Sequence, residues 1–433
     1  MEKQYLYNLI FLFLTITISA QQTPTAKQST DYSIEGATAH LGNGEVIENS
    51  LIMFSAGKIA FVGSSLVKIA RMGEVINANG KHVYPGFIIS NSSLGLGEID
   101  AVKATLDANE VGSMLPHVRS LIAYNAESKV IESMRPNGVL LGQITPRGGV
   151  ISGTSSIVQF DAWNWEDAAI KTNDGIHLNW PQNFSVGRPW RGEEEGAKPN
   201  KDYLKEVEEI SSFMQNGKNY LNGNKSPKNL PYEALKGLFK GSDNLYVHAS
   251  GVKEITDAIN LSKKLGISKL VIVHGNDAYK IADLLVENKI PVIIERAHRL
   301  PENEDDDYDL PYKTAKLLVE KGVVVAIGME GGMERMSSRN LPFYAGTCAA
   351  YGLDKEDALK LITSNPAKIL GIDQFTGTLE VGKDATLFIS EGDALDMRTN
   401  KLTDAFIQGR KISLETHQTE LWQRYERKYS SPE

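Results

Sequence analysis

The sequence predicts an α/β fold: a (β/α)8 TIM-like barrel carrying a small β-sandwich domain built from the N- and C-terminal segments. Three observations point there. Between residues 245 and 330, apolar runs alternate with helical stretches: 245–248 precedes Val252–Leu265, Leu270–His274 precedes 278–287, and the runs 291–294 and 323–327 continue the series. Unbroken apolar runs suit strands covered on both faces, and helical crossovers of that length imply parallel pairing. Upstream, 85–90, 138–144 and 156–160 fit as further strands. Short strands with turn signals flank the alternation on both sides. A doubly wound open sheet is the alternative arrangement.

At the N-terminus, Lys3 is followed by an apolar run from Leu9 to Ile18 and then by Ser19, Ala20 and Gln21. This is a signal-peptide layout, too short to span a bilayer, so 1–20 is expected to be removed. The expected product is a periplasmic or secreted protein with no membrane insertion after cleavage. The chain holds 46 Lys+Arg against 54 Asp+Glu, a net charge of -8, which gives no general attraction for nucleic acid. With 41% hydrophobic and 23% charged residues it is neither a disordered chain nor a multi-span membrane protein. Cys348, the one cysteine, sits in the small-residue run Ala345-Gly346-Thr347-Cys348-Ala349-Ala350 and reads as a buried structural thiol.

Residues 31–84 read as short strands separated by Gly42-Asn43-Gly44, Ala56-Gly57-Lys58 and Asn79-Gly80. The same character returns over 376–413, and the two segments are expected to form one composite β-sandwich domain around a barrel at 85–375. The stretch 201–215 has helical apolar spacing at Leu204, Val207, Ile210, Phe213 and Met214. The acidic run 302–309 reads as a charged loop opening the next helix, and the polar tail 414–433 as a segment that docks as a helix or frays.

Barrel chemistry sits at the carboxyl ends of the strands. His248 and His274 each end an apolar run, and Glu330 follows the last one. Two imidazoles and a carboxylate make an acceptable, though incomplete, zinc-type set. A structural role for each histidine and a turn-capping role for Glu330 are the competing readings.

Several motifs then resemble one family. They are Val83-Tyr84-Pro85-Gly86-Phe87-Ile88, Asn137-Gly138-Val139, the stretch from Pro146 to Ser156, Arg339-Asn340-Leu341-Pro342 and Ser364-Asn365-Pro366-Ala367-Lys368-Ile369-Leu370-Gly371. With the split β domain, the chain resembles the amidohydrolase superfamily in its imidazolonepropionase-like branch. The resemblance implies metal-dependent hydrolysis of an amide, lactam or related C–N bond, with an Asp after the eighth strand as proton shuttle. It also implies a first-strand signature Pro-Gly-x-x-Asp-x-His-x-His that supplies two ligands. Here the acid is replaced by Ile89 and the histidines by Asn91 and Ser93, and the shuttle position carries Glu330. The family's bridging Lys or Glu near the fourth strand would have only the neutral Gln159 as counterpart.

Neutral amide and hydroxyl oxygens are poor zinc ligands. The expectation that follows first is a catalytically impaired pseudoenzyme or partner subunit, holding no metal or one weakly held divalent ion, zinc foremost. Its partner would be a second copy of the chain or an active amidohydrolase homologue. The alternative is an active mononuclear C–N hydrolase using His248, His274 and Glu330. Candidate substrate-binding residues are Arg147, His177, Trp180 and Arg339; each also has an ordinary structural reading, as an ion pair or as an insertion pinned by its own aromatic residues.

Overall fold

The computed structural model describes residues 23–186 and 196–430, so the expected signal segment at 1–20 and Trp190 lie outside the described residues. Eight strands form the central sheet: β1 (Phe87–Ser92), β2 (Val139–Ile144), β3 (Ile151–Gln159), β4 (Ala169–Asn179), β5 (Asn244–Ala249), β6 (Leu270–His274), β7 (Val292–Ile294) and β8 (Val325–Ile327). They lie side by side in chain order. A parallel bridge between Ser90 and Gly328 brings β8 against β1, which nearly closes the sheet into the expected barrel.

From β4 to β8 every pairing is parallel, as the βα alternation requires. The helix Val252–Leu265 shows why it covers the sheet: Ile255, Ala258, Ile259, Ser262 and Leu265 recur at helical spacing and are buried, and Gly266 ends it in the left-handed conformation. The other half differs from an all-parallel barrel, since β3 runs antiparallel to both β2 and β4. Segments 145–150 and 160–168 are too short for a parallel crossover, which needs about a dozen residues or more. Hairpins replace two helical crossovers, and the strand over 169–179, read from sequence as part of an aromatic insertion, completes the barrel.

The flanking β structure is assembled from both ends of the chain. One sheet has four strands within residues 32–77; a six-stranded sheet pairs Leu387–Ser390 with His82–Pro85 and with Leu402–Ile407. Ile34, Ile52, Phe54, Val83, Leu387, Ile389 and Phe406 form its apolar core. In the connection after β4, the helix Tyr203–Asn222 buries Ile210 and Met214, while Leu204 faces solvent. The acidic loop leads into the helix Leu310–Val319, where Lys313 pairs with Asp309 at 2.7 Å. The tail forms the helix His417–Ser430, none of whose residues is buried. Cys348 is fully buried, and burial pushes its thiol up to about 12, as suits an inert packing residue. Among the described residues no helix is long and apolar enough to cross a membrane.

Candidate metal centre

Parallel strands β5 and β6 end side by side, with Ala249 opposite His274, so His248 and His274 emerge at one rim of the barrel. Glu330 follows β8 and turns back over them. His274 Nε2 lies 2.7 Å and His248 Nδ1 3.4 Å from Glu330 Oε2. The three residues offer ligand atoms that all lie within 4.8 Å of one another. His274 has φ 75, a left-handed backbone that a residue with a Cβ seldom adopts. The strained strand end aims the imidazole inward.

The electrostatics suit a cation. Burial disfavours charge on His248 and holds it at about 4 despite the pull of Glu330, so the ring is neutral, the form that ligates. Burial alone would raise Glu330, but the Arg147 charge, then the contacts from His248 and His274, hold it well below the usual carboxylate range. For His274 the hydrogen bond and charge of Glu330 outweigh burial and raise its pKa.

Behind His248 stands His177, near the end of β4. Its Nδ1 lies 2.9 Å from His248 Nε2, and its ring stacks on Tyr246 with centroids 4.5 Å apart. His177 Nε2 and His248 Nδ1 are buried with no hydrogen-bond partner among the described residues. A buried nitrogen without a partner is costly. A divalent ion would relieve that cost at His248 Nδ1, provided His248 Nε2 donates its proton to His177 Nδ1. The donor set therefore fits a single divalent ion, held by His248 Nδ1, His274 Nε2 and the Glu330 carboxylate.

Opposite this triad lies a second group. Arg147, in the loop between β2 and β3, donates from Nη1 to Asn91 Oδ1 at 2.7 Å and from Nη2 to Asn91 O at 2.9 Å and Met329 O at 3.1 Å. Its Nη2 also pairs with Glu334 at 3.3 Å, and its Nη1 lies 3.8 Å from Glu330. The Arg147 backbone is pinned by Ala108 O at 2.7 Å. Asn91, at φ 49, donates from Nδ2 to Glu330 Oε2 at 2.9 Å. The Ser93 amide donates to Glu334, and Ser93 Oγ accepts from Arg335 at 3.2 Å. Ile89 is a fully buried core residue.

Below the rim a buried polar column continues. The Asn91 amide donates to Gln143 Oε1, Gln143 Nε2 to Asp174 Oδ2 at 2.8 Å, and Tyr246 OH to the same oxygen. Lys171 Nζ meets Asp174 Oδ1 at 2.8 Å. Burial still pushes the fully enclosed Asp174 carboxyl up.

These positions revise several expectations. Loss of the first-strand histidines was expected to leave a degenerate ligand set and a pseudoenzyme. The intact His248, His274 and Glu330 cluster overturns both: Asn91 and Ser93 are not failed ligands but partners of Glu330, Arg147 and Glu334. Gln159 is not the fourth-strand residue of the site. Antiparallel β3 carries it to the opposite mouth, where its Oε1 accepts from Arg410 at 3.1 Å, and His177 stands in the fourth strand instead. Arg147 does reach the centre. Trp180 is buried, with Nε1 donating to Tyr203 OH, and Arg339 is exposed, its carbonyl accepting from Asn137 in the turn before β2. Sequence reasoning missed Gln143, Lys171, Asp174, Tyr246 and Glu334. For His177, the polar residue inside Ile176-His177-Leu178 was the available signal.

Comparison with known proteins agrees with this geometry. Residues 241–414, which hold all three candidate ligands, match the amidohydrolase family. An amidohydrolase from Thermotoga maritima superposes over 88% of this chain and 99% of its own, with a TM-score of 0.76 and 25% identity. A Xaa-Pro dipeptidase with bound methionine shares the fold at 15% identity and a TM-score of 0.55, over 89% of this chain and all of that one. The chain therefore has the amidohydrolase-superfamily fold. An adenine deaminase of Clostridium botulinum is 23% identical over 386 residues, 85% of this chain and 55% of its own length, so the chain spans about half of that relative. An imidazolonepropionase of Symbiobacterium thermophilum is 28% identical over 144 residues, only 33% of this chain and 32% of the relative. The match to this imidazolonepropionase covers a third of the chain, so the comparisons support the superfamily fold and not the narrower branch with a degenerate ligand set.

Proposed function

We propose that this chain is an active metal-dependent hydrolase of C–N bonds in small amide- or amidine-type substrates, working with one divalent ion. The observation that carries this reading is the convergence of His248, His274 and Glu330 at the carboxyl rim, with the buried His248 Nδ1 left without a hydrogen bond among the described residues. Zinc is the ion proposed, because two imidazoles with one carboxylate are a zinc-type donor set. Bound there, it supplies Lewis acidity to the carbon–nitrogen centre. The protein's own part is positional. His177 orients His248, Asn91 holds Glu330 Oε2 in place, and Arg147 keeps Glu330 ionised. The substrate class is supported by relatives named as adenine deaminase and imidazolonepropionase. The layout of residues 1–20 supports export as the place of action.

The deciding experiment is metal content after chelator-free purification, together with turnover of adenine, lactams, hydantoins and dipeptides. About one ion per chain is expected, with turnover of at least one substrate class that vanishes in His248→Ala. A parent protein that takes up no zinc when offered an excess would overturn the proposal.

A further inference from the structure

The group opposite the triad is itself a cation site, and a side chain already fills it. Five oxygens surround the Arg147 guanidinium: Asn91 Oδ1, Asn91 O, Met329 O, and one carboxylate oxygen each from Glu334 and Glu330, at 2.7, 2.9, 3.1, 3.3 and 3.8 Å. Two carboxylates, two backbone carbonyls and an amide oxygen, with no nitrogen or sulfur donor, are the ligand chemistry of a hard divalent cation such as manganese, magnesium or calcium. The arrangement is built rather than incidental. Asn91 takes a left-handed backbone at φ 49 that turns both its carbonyl and its side-chain oxygen toward Arg147, and Ala108 fixes the Arg147 backbone. The Ser93 amide donates to the same Glu334 oxygen that pairs with Arg147 and so fixes it in the cage.

We propose that Arg147 is a built-in cation occupying a second, oxygen-lined metal cage, and that its guanidinium limits the centre to one exchangeable ion. An arginine cannot release its proton in a protein, so the limit holds at every working pH. The guanidinium also lies 3.8 Å from Glu330, the carboxylate that both sites share, where a second dication would be repelled by it. Without the guanidinium, Glu330 and Glu334 become neighbouring carboxylates facing carbonyl oxygens, and they must take up a cation or a proton. The cage geometry favours the cation, because four of its five oxygens come from Asn91, Met329 and Glu334 and already face the one guanidinium, Asn91 Oδ1 at its Nη1 and the other three at its Nη2.

This inference rests on the single-ion reading above, and the test separates the two. The full chain and the variants Arg147→Met and Arg147→Lys are loaded with zinc, then with excess manganese, desalted, and both metals are counted per chain. The zinc count of the parent tests the hydrolase proposal. The manganese difference between Arg147→Met and the parent tests the cage. The expected result is a gain of about one manganese in Arg147→Met and none in Arg147→Lys, which keeps the charge. Equal manganese in Arg147→Met and the parent, which would mean that a proton replaces the guanidinium, overturns the cage. So does an equal gain in Arg147→Lys. If circular dichroism shows Arg147→Met unfolded, Arg147→Gln, which removes the charge but leaves a polar side chain, takes its place in the same count with the same two outcomes.

Discussion

The two arcs of the barrel rim handle charge in opposite ways. On the arc from β5 to β8, parallel strands joined by helices bring the ligand atoms of His248, His274 and Glu330 together and leave His248 Nδ1 without a hydrogen bond. On the arc from β1 to β3, the β2–β3 hairpin brings Arg147 over Asn91, and the oxygens of Asn91, Met329 and Glu334 that surround its guanidinium already face that cation. One arc is built to receive an ion and the other to do without one. The difference follows from topology. A helical crossover ends in a short loop beside the strand, whereas the β2–β3 hairpin sends a single long side chain across the mouth.

The sharpest way to break this contrast is to remove one donor from each arc. His274→Ala should lose the ion and, with several kcal/mol of transition-state stabilisation gone, lower kcat/KM on the order of 10³-fold or more. Asn91→Ala should keep the ion and lower kcat/KM by about 10- to 100-fold, the range for partners that orient a ligand. Metal analysis beside steady-state kinetics reads both. If Asn91→Ala sheds the ion as completely as His274→Ala, the arcs do not differ in the way described.

A second prediction concerns what holds the arcs together. Asp174 is fully enclosed and answers Lys171, Gln143 and Tyr246, linking the floor of the barrel to Asn91 at the rim. Lys171→Met leaves a buried carboxylate without its counter-charge, which costs about 3 kcal/mol of stability. Urea unfolding should show a lower midpoint at unchanged slope, while the metal count stays that of the parent. A midpoint within error of the parent would show that Gln143 and Tyr246 alone satisfy Asp174.

How much of this was legible in the sequence follows the same boundary between arcs. The βα alternation from 245 to 330 repeats one unit, so strand direction and the rim positions of His248, His274 and Glu330 could be read from local pattern. The hairpin half has no such repeat. The sequence offers 156–160 as a strand but not its direction, and direction decides that Gln159 leaves the site and His177 enters it. Asn91 and Ser93 were read by ligand chemistry alone, as losses. Their meaning depends on Arg147 and Glu334, which are far away in sequence and adjacent only after folding. The polar column was unreadable for the same reason. Lys171 and Asp174 look like surface residues until β4 is known to line the barrel.

His177 is the side chain of the hairpin half that meets the candidate ligand His248. His177→Phe preserves the ring stacked on Tyr246 but removes the acceptor for His248 Nε2. The ion should bind about 10- to 100-fold more weakly, measured by competition with a chromogenic chelator, with little change in melting temperature. Unaltered affinity would mean that His248 keeps its tautomer and orientation without His177.

The smallest expected effect separates two arginines four residues apart in the chain, Arg335 and Arg339. Arg339 resembled a substrate-carboxylate binder, yet its side chain is exposed and its carbonyl serves Asn137 before β2, at the end of that strand away from the rim. Arg335 instead donates to Ser93 Oγ at 3.2 Å and pairs with Asp100, bracing the residue whose amide holds Glu334. Arg339→Ala should therefore change stability by no more than about 0.5 kcal/mol and leave KM where it was. Arg335→Ala should cost about 1 to 2 kcal/mol through lost charge-assisted hydrogen bonds and raise KM modestly. The comparison is decided by KM: a rise in Arg339→Ala larger than in Arg335→Ala would return substrate binding to Arg339 and require the loop after β8 to reach farther over the rim than the Asn137 contact allows.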